Sequence, residues 1–387
     1  MAYDFSQSDE LKMLRESVRK FAETEIAPMA HQLDEEETFS VELTQKMGEL
    51  GLFGCFVDPK YDGQGMDYLS YIVAVEEIAR VDGSQAATIA AHNSLGAGPI
   101  YYYGTEEQKK TLLPPLCTGK SLWGFGLTEE SAGSDAQASK TKAEFDSTTN
   151  EWVINGSKLW ITNSAAPNTV GITVQAVTGK TASGRPELTC FIVPADTEGL
   201  TKIAMKGKMM WRSSNTGELY FENVRVKDSA RLGDRGQGFK IMMNTLDGGR
   251  LSIGAMGLGL AKGALEMARK YALERKTFGV PIFDHQAIGF KLAEMATRIE
   301  AAENLLYKAC WQRQNNMAFG KLAAMAKLYC AEVAEFCARE GQQIFGGYGL
   351  MKEYPIERHY RDAALLRIGE GTSEIQRLVI SRYLREE

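Results

Sequence analysis

The chain has 387 residues, 44% of them hydrophobic and 24% charged, with a formal net charge of −6. Such a length supports a large core and two or three domains, and a mildly acidic balance argues against nucleic acid or an anionic membrane surface as the main partner. No stretch approaches the ~20 consecutive apolar residues of a membrane span.

The first residues, MAYDFSQSDELKMLRESVRKF, lack the apolar segment of a signal peptide and hold too many acids for a transit peptide. They read as the start of a cytoplasmic chain, or of a processed mitochondrial matrix protein. Ser6 is a candidate helix cap, with Leu11, Leu14, Val18 and Phe21 following at helical spacing. Residues 1–121 continue in this pattern, as in SYIVAVEEIARVDGS and TEEQKKTLLPPL, broken by Gly and Pro. Between 122 and 235 the pattern changes. EWVING, NTVGITVQAV, ELTCFIVPA and GELYFENVRV are rich in β-branched and aromatic residues, which predicts antiparallel strands without intervening helices. From 236 to 387, stretches such as KLAEMATRIEAAENLLYKACWQRQ predict the long helices of a bundle. The expected fold class is α+β, mostly α, in the order helical domain, β domain, helical domain.

Several tempting signals carry no chemistry. VTGKTASG contains Gly179-Lys180-Thr181, but the phosphate-loop pattern needs a glycine where Val174 stands, so a hairpin turn is expected. GAMGLGLAKGAL misses the dinucleotide spacing and no strand precedes it. Gly257, Gly259 and Gly263 read instead as a small-residue helix face for close packing. His31, His92, His285 and His359 lack metal-ligand spacing, so no metal is expected. Cys55, Cys117, Cys190, Cys310, Cys330 and Cys337 show no CxxC pair and read as reduced core thiols.

Other segments can serve either structure or chemistry. FGLTEESAGSDAQAS (125–139) is a polar loop whose small residues would let backbone N–H groups approach an anion or ring. KLWITNS sets Trp160 beside Thr162 at the end of a strand. LERKTFG and DHQAIGFKLAEM put Arg275 and Gln286 at either end of a helix–turn–helix. QQIFGGYGL ends a helix at Gly346-Gly347, a terminus or a phosphate-approaching loop. RIGEGTSEIQR places Glu370 between two glycines, just before a helix predicted to start near 374 with Ser373 and Gln376 as a capping box. Glu370 is either a loop acid favoured by the helix dipole or a general base on a tight loop.

Together these segments resemble the acyl-CoA dehydrogenase family of flavoproteins, its short- and branched-chain members above all, over essentially the whole chain. GLTEESAGSDAQA (126–138) is one signature; the run from Gln343 through GGYGL, Glu353 and Arg358 to Asp362 is the other. The resemblance implies a helical N-domain, an antiparallel β-barrel-like middle domain and a C-terminal four-helix bundle, assembled as a homotetramer with noncovalent FAD. It implies that Phe125, Leu127, Thr128, Gly133 and Ser134, with Trp160, Ile161 and Thr162, line the isoalloxazine. Arg275, Phe278, Gln286, Gln343, Ile344, Phe345, Gly346 and Gly347 would hold the ADP part of a neighbouring subunit's FAD, and Thr372, Ser373 and Glu374 would also touch FAD. Ser134, Asp247, Arg250 and Gly371 match contacts to the acyl-CoA thioester, and Glu370 matches the catalytic base.

The activity so implied is α,β-dehydrogenation of an acyl-CoA to the 2-enoyl-CoA. Glu370 removes the α-proton, FAD takes the β-hydride, and an electron-transfer flavoprotein receives the electrons. An α-proton is too weakly acidic for a solvated carboxylate near pKa ~4.3, so the thioester oxygen needs preorganised donors and the base must be strengthened by loss of water. Some family members carry the base at the position matching Gly249, which cannot serve here. Many straight-chain relatives have an aromatic residue before the base; Gly369 stands there and favours a short branched or cyclic acyl group. The alternatives are an acyl-CoA oxidase, whose chains are usually much longer, or a non-catalytic binding protein on the same scaffold.

Overall fold

The computed structural model describes residues 8–386. Seven helices open the chain: α1 (Asp9–Phe21), α2 (Ala27–Glu36), α3 (Val41–Glu49), α4 (Tyr68–Ala79), α5 (Gly83–Ala91), α6 (Gly98–Tyr103) and α7 (Glu106–Leu116). The expected cap Ser6 lies outside the described residues. Ser8 takes that role, its hydroxyl accepting from Leu11 N at 3.2 Å. Leu11 and Val18 then face inward. The buried carboxylates Glu76 and Glu77 of α4 bind Arg15 of α1 at 2.8 and 2.6 Å, so the apolar seam between these helices also carries paired charge.

Eight strands follow: β1 (Leu122–Gly126), β2 (Lys142–Asp146), β3 (Glu151–Thr162), β4 (Thr169–Lys180), β5 (Pro186–Pro194), β6 (Leu200–Ala204), β7 (Thr216–Lys227) and β8 (Arg231–Leu232). They form one sheet in the order β6-β7-β3-β2-β4-β5-β8, with β1 on β4. Most pairings are antiparallel, but β1 and β2 both run parallel to β4. Parallel neighbours need a long connection: β2 reaches β4 by way of β3, and β1 reaches it by way of the 127–141 loop, β2 and β3. Alternate residues of β3 and β7, among them Trp152, Ile154, Leu219 and Phe221, turn into a common apolar core with Ile172, Val174 and Phe191. The 180–186 segment is a turn, Thr181 N bonding Arg185 O at 2.8 Å.

The remaining helices are α8 (Gly238–Glu274), α9 (Gln286–Gln314), α10 (Gly320–Phe345), α11 (Ile356–Leu365) and α12 (Ser373–Glu386). α8, α9, α10 and α12 pack as the bundle, α8 also lying along α4. The glycine face of α8 explains the close approach. A Cβ at Gly257 would strike Cys330 O of α10, one at Gly259 would strike Glu76 O, and one at Gly263 would strike Arg80 O. Between α8 and α9 the chain makes a short hairpin, β9 (Lys276–Thr277) with β10 (Val280–Pro281), instead of a plain turn. Phe278 and Gly279 at its tip both have positive φ, 52° and 87°, as a tight two-residue hairpin loop requires. All six cysteines are free and buried.

Candidate active site

α12 begins one residue earlier than expected, and its cap differs. The Thr372 hydroxyl accepts from Ile375 N at 3.2 Å, so Thr372 is the cap and Ser373 the first helical residue, buried with an unpartnered Oγ. Gln376 does not reach back to a Ser373 cap; its Nε2 donates to Gly371 O at 2.9 Å and Glu370 O at 3.3 Å. These bonds pin the loop from inside. Gly371 sits at φ 94° and Glu370 at 52°, a left-handed conformation that is uncommon for a residue with a side chain.

That backbone twist sends the Glu370 carboxylate toward α8. A Cβ at Gly249 would overlap Glu370 Oε2, and the same position touches Leu95 at 3.3 Å, so glycine makes the space the carboxylate occupies. Oε2 is shielded from solvent and has no hydrogen-bond partner. Burial raises the carboxyl to about 7, against the opposing pull of Lys327 and Arg250. Lys327, itself buried on α10, donates to Gly371 O at 2.6 Å. Burial lowers its ammonium to about 8, with Glu370 resisting the change. Arg250 is buried one residue past Gly249 and forms a short ion pair with Asp247 on the same helix. Glu370, Gly371, Asp247 and Arg250 thus come together, with Lys327, Gly249 and Leu95 as neighbours not singled out from sequence. Ser134, the remaining thioester candidate, lies exposed in the 127–141 loop. A Cβ at Gly369 would meet only Leu365, at ordinary contact distances from 3.7 Å, so a side chain fits there.

The predicted ring-lining residues form a second group on the β domain. Phe125 and Leu127 are largely buried, while Gly133 and Ser134 are exposed, with nothing within 4 Å of a Cβ at Gly133. Leu159 N bonds Thr128 O at 2.9 Å and joins the loop to β3. Trp160 has φ 63° and is 61% exposed, whereas Ile161 beside it is buried and Thr162 half-buried. The indole thus stands outward on a strand residue with positive φ. Sequence reasoning missed what fixes the loop. Lys158 Nζ contacts Glu129 Oε1 at 2.7 Å, Leu127 O at 3.2 Å and Ser139 Oγ at 3.2 Å. Burial opposes ionisation of Glu129, but Lys158 and the loop donors hold it down at about 2.

The third group lies at the opposite end of α8. Arg275, Ile344, Phe345, Gly346 and Gly347 line one cavity of about 600 Å³ with Tyr271 and Tyr348. Gly346 ends α10 at φ 60°, and neither Gly346 nor Gly347 has an atom within 4 Å of a Cβ position. Phe278, 97% exposed, Gln286 at the start of α9 and Gln343 do not line it. Thr372, Ser373 and Glu374 line a separate cavity of about 320 Å³ with Arg367 and Arg377. Neither cavity includes Glu370.

A helical domain, a β domain and a helical bundle, with a strained buried carboxylate at the mouth of the last helix, define a known class. The N-terminal, middle and C-terminal domain models of acyl-CoA dehydrogenase match residues 8–120, 124–224 and 236–384. The chain is 50% identical over 381 residues, 98% of its length and 99% of the relative's, to "Probable acyl-CoA dehydrogenase YngJ" of Bacillus subtilis (strain 168). Its structure is similar to butyryl-CoA dehydrogenase from Megasphaera elsdenii, with a TM-score of 0.95, 41% identity, and 99% of this chain and 100% of the other covered. A glutaryl-CoA dehydrogenase from Mycobacterium smegmatis in complex with FADH2 aligns with a TM-score of 0.92 and 30% identity, covering 98% of this chain and 96% of the other. The chain belongs to the acyl-CoA dehydrogenase family and is an oxidoreductase.

Proposed function

We propose that the protein desaturates a short branched or cyclic acyl-CoA between Cα and Cβ, with Glu370 as general base. One observation carries this reading: a carboxylate held in a strained backbone, its Oε2 shielded from solvent and without a hydrogen-bond partner, and raised to about 7. A base near neutrality is the form best suited to take a proton at physiological pH. Lys327 and Arg250 stop its pKa from climbing further, and Gln376 and Lys327 hold the 370–371 carbonyls so that the carboxylate keeps its aim. The two glycines flanking Glu370 let the backbone approach the thioester, and Gly249 leaves room for the carboxylate itself against α8.

The residues present fit FAD. The exposed Trp160 with the Lys158-braced loop offers a face for the ring, and the bare Gly346-Gly347 backbone beside Arg275 suits a pyrophosphate. Bound there, FAD supplies the hydride acceptor that side chains lack. Family membership supports the reading that the second region serves a neighbouring subunit's FAD in a homotetramer. Family membership supports an electron-transfer flavoprotein as the electron acceptor.

The test is anaerobic titration of flavin-loaded protein with acyl-CoAs, followed by turnover with an artificial acceptor. Bleaching of the flavin band by wild type, lost in Glu370→Gln while thioester binding persists, is the expected result. General-base loss is worth ~10² to 10⁴ in rate. A Glu370→Gln variant that keeps a tenth of wild-type turnover would place the base elsewhere.

A further inference from the structure

The acyl end of this site holds a second orphaned charge. Arg313 lies in the last turn of α9. Its guanidinium stacks over the Tyr68 ring at 3.7 Å from the centroid and faces Phe319 at 5.2 Å. Nη2 donates to the Tyr102 hydroxyl at 3.2 Å, but Nη1 is buried and without a hydrogen-bond partner. Among the described residues no carboxylate pairs with Arg313. Asp247, the nearest acid in sequence to Gly248, feels the charge of Arg313 but forms its ion pair with Arg250.

Position matters more than burial. A Cβ at Gly248 would overlap Arg313 Nη1, just as one at Gly249 would overlap Glu370 Oε2. Consecutive α-carbons are about 3.8 Å apart. The unpartnered guanidinium nitrogen and the unpartnered carboxylate oxygen therefore share one short stretch of α8, at most about 11 Å apart by covalent geometry. Tyr68 ties the two together, its hydroxyl bonding Gly248 O at 3.0 Å while its ring carries Arg313. A substrate whose α-carbon meets Oε2 has its acyl chain within reach of Nη1. Burying a guanidinium N–H without an acceptor is costly, and the planar fork of arginine matches a carboxylate.

We propose that Arg313 is a specificity-determining residue that receives a terminal carboxylate on the acyl chain, so that the preferred substrates are short ω-carboxyacyl-CoAs. This rests on the dehydrogenation step of the proposed function and replaces its neutral branched or cyclic acyl group with a carboxylated one. The rings of Tyr68, Tyr102 and Phe319 surround the guanidinium, and Tyr102 is half-exposed. Neutral acyl chains would leave Nη1 orphaned.

The experiment compares flavin-loaded wild type, Arg313→Met and Arg313→Lys on length-matched pairs: succinyl- against butyryl-CoA, glutaryl- against valeryl-CoA, adipyl- against hexanoyl-CoA. CoA is common to each pair, so the ratio of kcat/KM within a pair isolates the acyl end. Wild type should favour the carboxylated member of at least one pair by tenfold or more. Arg313→Met should collapse that ratio about 10²-fold, as expected where a site is built around a polar substrate group, and Arg313→Lys should keep part of it. Calorimetric binding of the same pairs to Glu370→Gln, with and without Arg313→Met, gives the ratio without turnover. Wild type preferring every neutral member, or Arg313→Met leaving each ratio unchanged, would overturn the proposal and leave Arg313 a clamp on Tyr68. Absence of turnover with all six thioesters and with branched and cyclic acyl-CoAs would instead overturn the dehydrogenation reading, while the binding ratios would still decide the role of Arg313.

Discussion

Replacing Glu370 by glutamine should make the protein more stable as well as inactive, and the gain should depend on pH. Burial raises the folded-state carboxyl from 4.5 to about 7, while in the unfolded chain it titrates near ~4.3. Below pH ~4.3 both states are protonated and the substitution changes little. Between that pH and about 7 the unfolded chain releases a proton that the folded protein keeps, so wild-type stability falls as pH rises. Above 7 the cost is complete. A tenfold difference in proton affinity between the two states is worth about 1.4 kcal/mol. With Glu370 half-buried as a residue, solvent screening reduces the total to roughly 2 kcal/mol. Lys327, lowered to about 8, loses its partner in the variant, so the comparison is cleanest at pH 8.5, where Lys327 is largely neutral in either protein. The assay is denaturant unfolding of both flavin-free proteins from pH 5 to 8.5, with matched controls for reversibility. Glu370→Gln should be the more stable by an amount that grows with pH and levels off above 7. A difference independent of pH, or wild type more stable at pH 8.5, would mean that the carboxylate is not desolvated, and the argument for a tuned base would fail with it.

Two further outcomes follow from the same geometry. Gly249→Ala should retain flavin but lose at least tenfold in kcat, because the new methyl occupies the position of Glu370 Oε2; stopped-flow flavin reduction with unchanged flavin content checks this, and wild-type rates would refute it. The acid limb of kcat/KM against pH should rise through an apparent pKa near 7, the value to which burial brings the free-enzyme carboxylate; a limb near 4.5 would show a solvated base.

The three-part order of the fold was legible because helical and strand composition change sharply at 116–122 and 232–238. Pairing was less so: nothing local in LWGFG says that β1 runs parallel to β4, which depends on partners about fifty residues away. The cap of α12 was misread because Thr372 and Ser373 are equally good cap types, and the choice falls to the φ of Gly371, which sequence does not show. Glu370 stood out by its glycine neighbours. Lys327 could have been found: Ala323, Ala324, Cys330 and Ala331 bracket it at helical spacing and are all buried, so a cation there faces inward. Arg313 gave no such signal at a polar helix end, and its meaning lies in the rings of Tyr68, Tyr102 and Phe319, distant in sequence.

The overlap between a side chain at position 249 and the carboxylate of Glu370 also bears on descent. Two places in the chain, 121 residues apart by their numbers, deliver a group to one point in space. A lineage moving its base from one to the other must pass through a chain with both carboxylates, crowded and mutually repelling, or with neither, and idle. With Glu370 as the proposed base, the glycine at 249 is thus a lock on history: while it stands, the proposed acceptor stays at 370, and exchange requires two coordinated changes, not one.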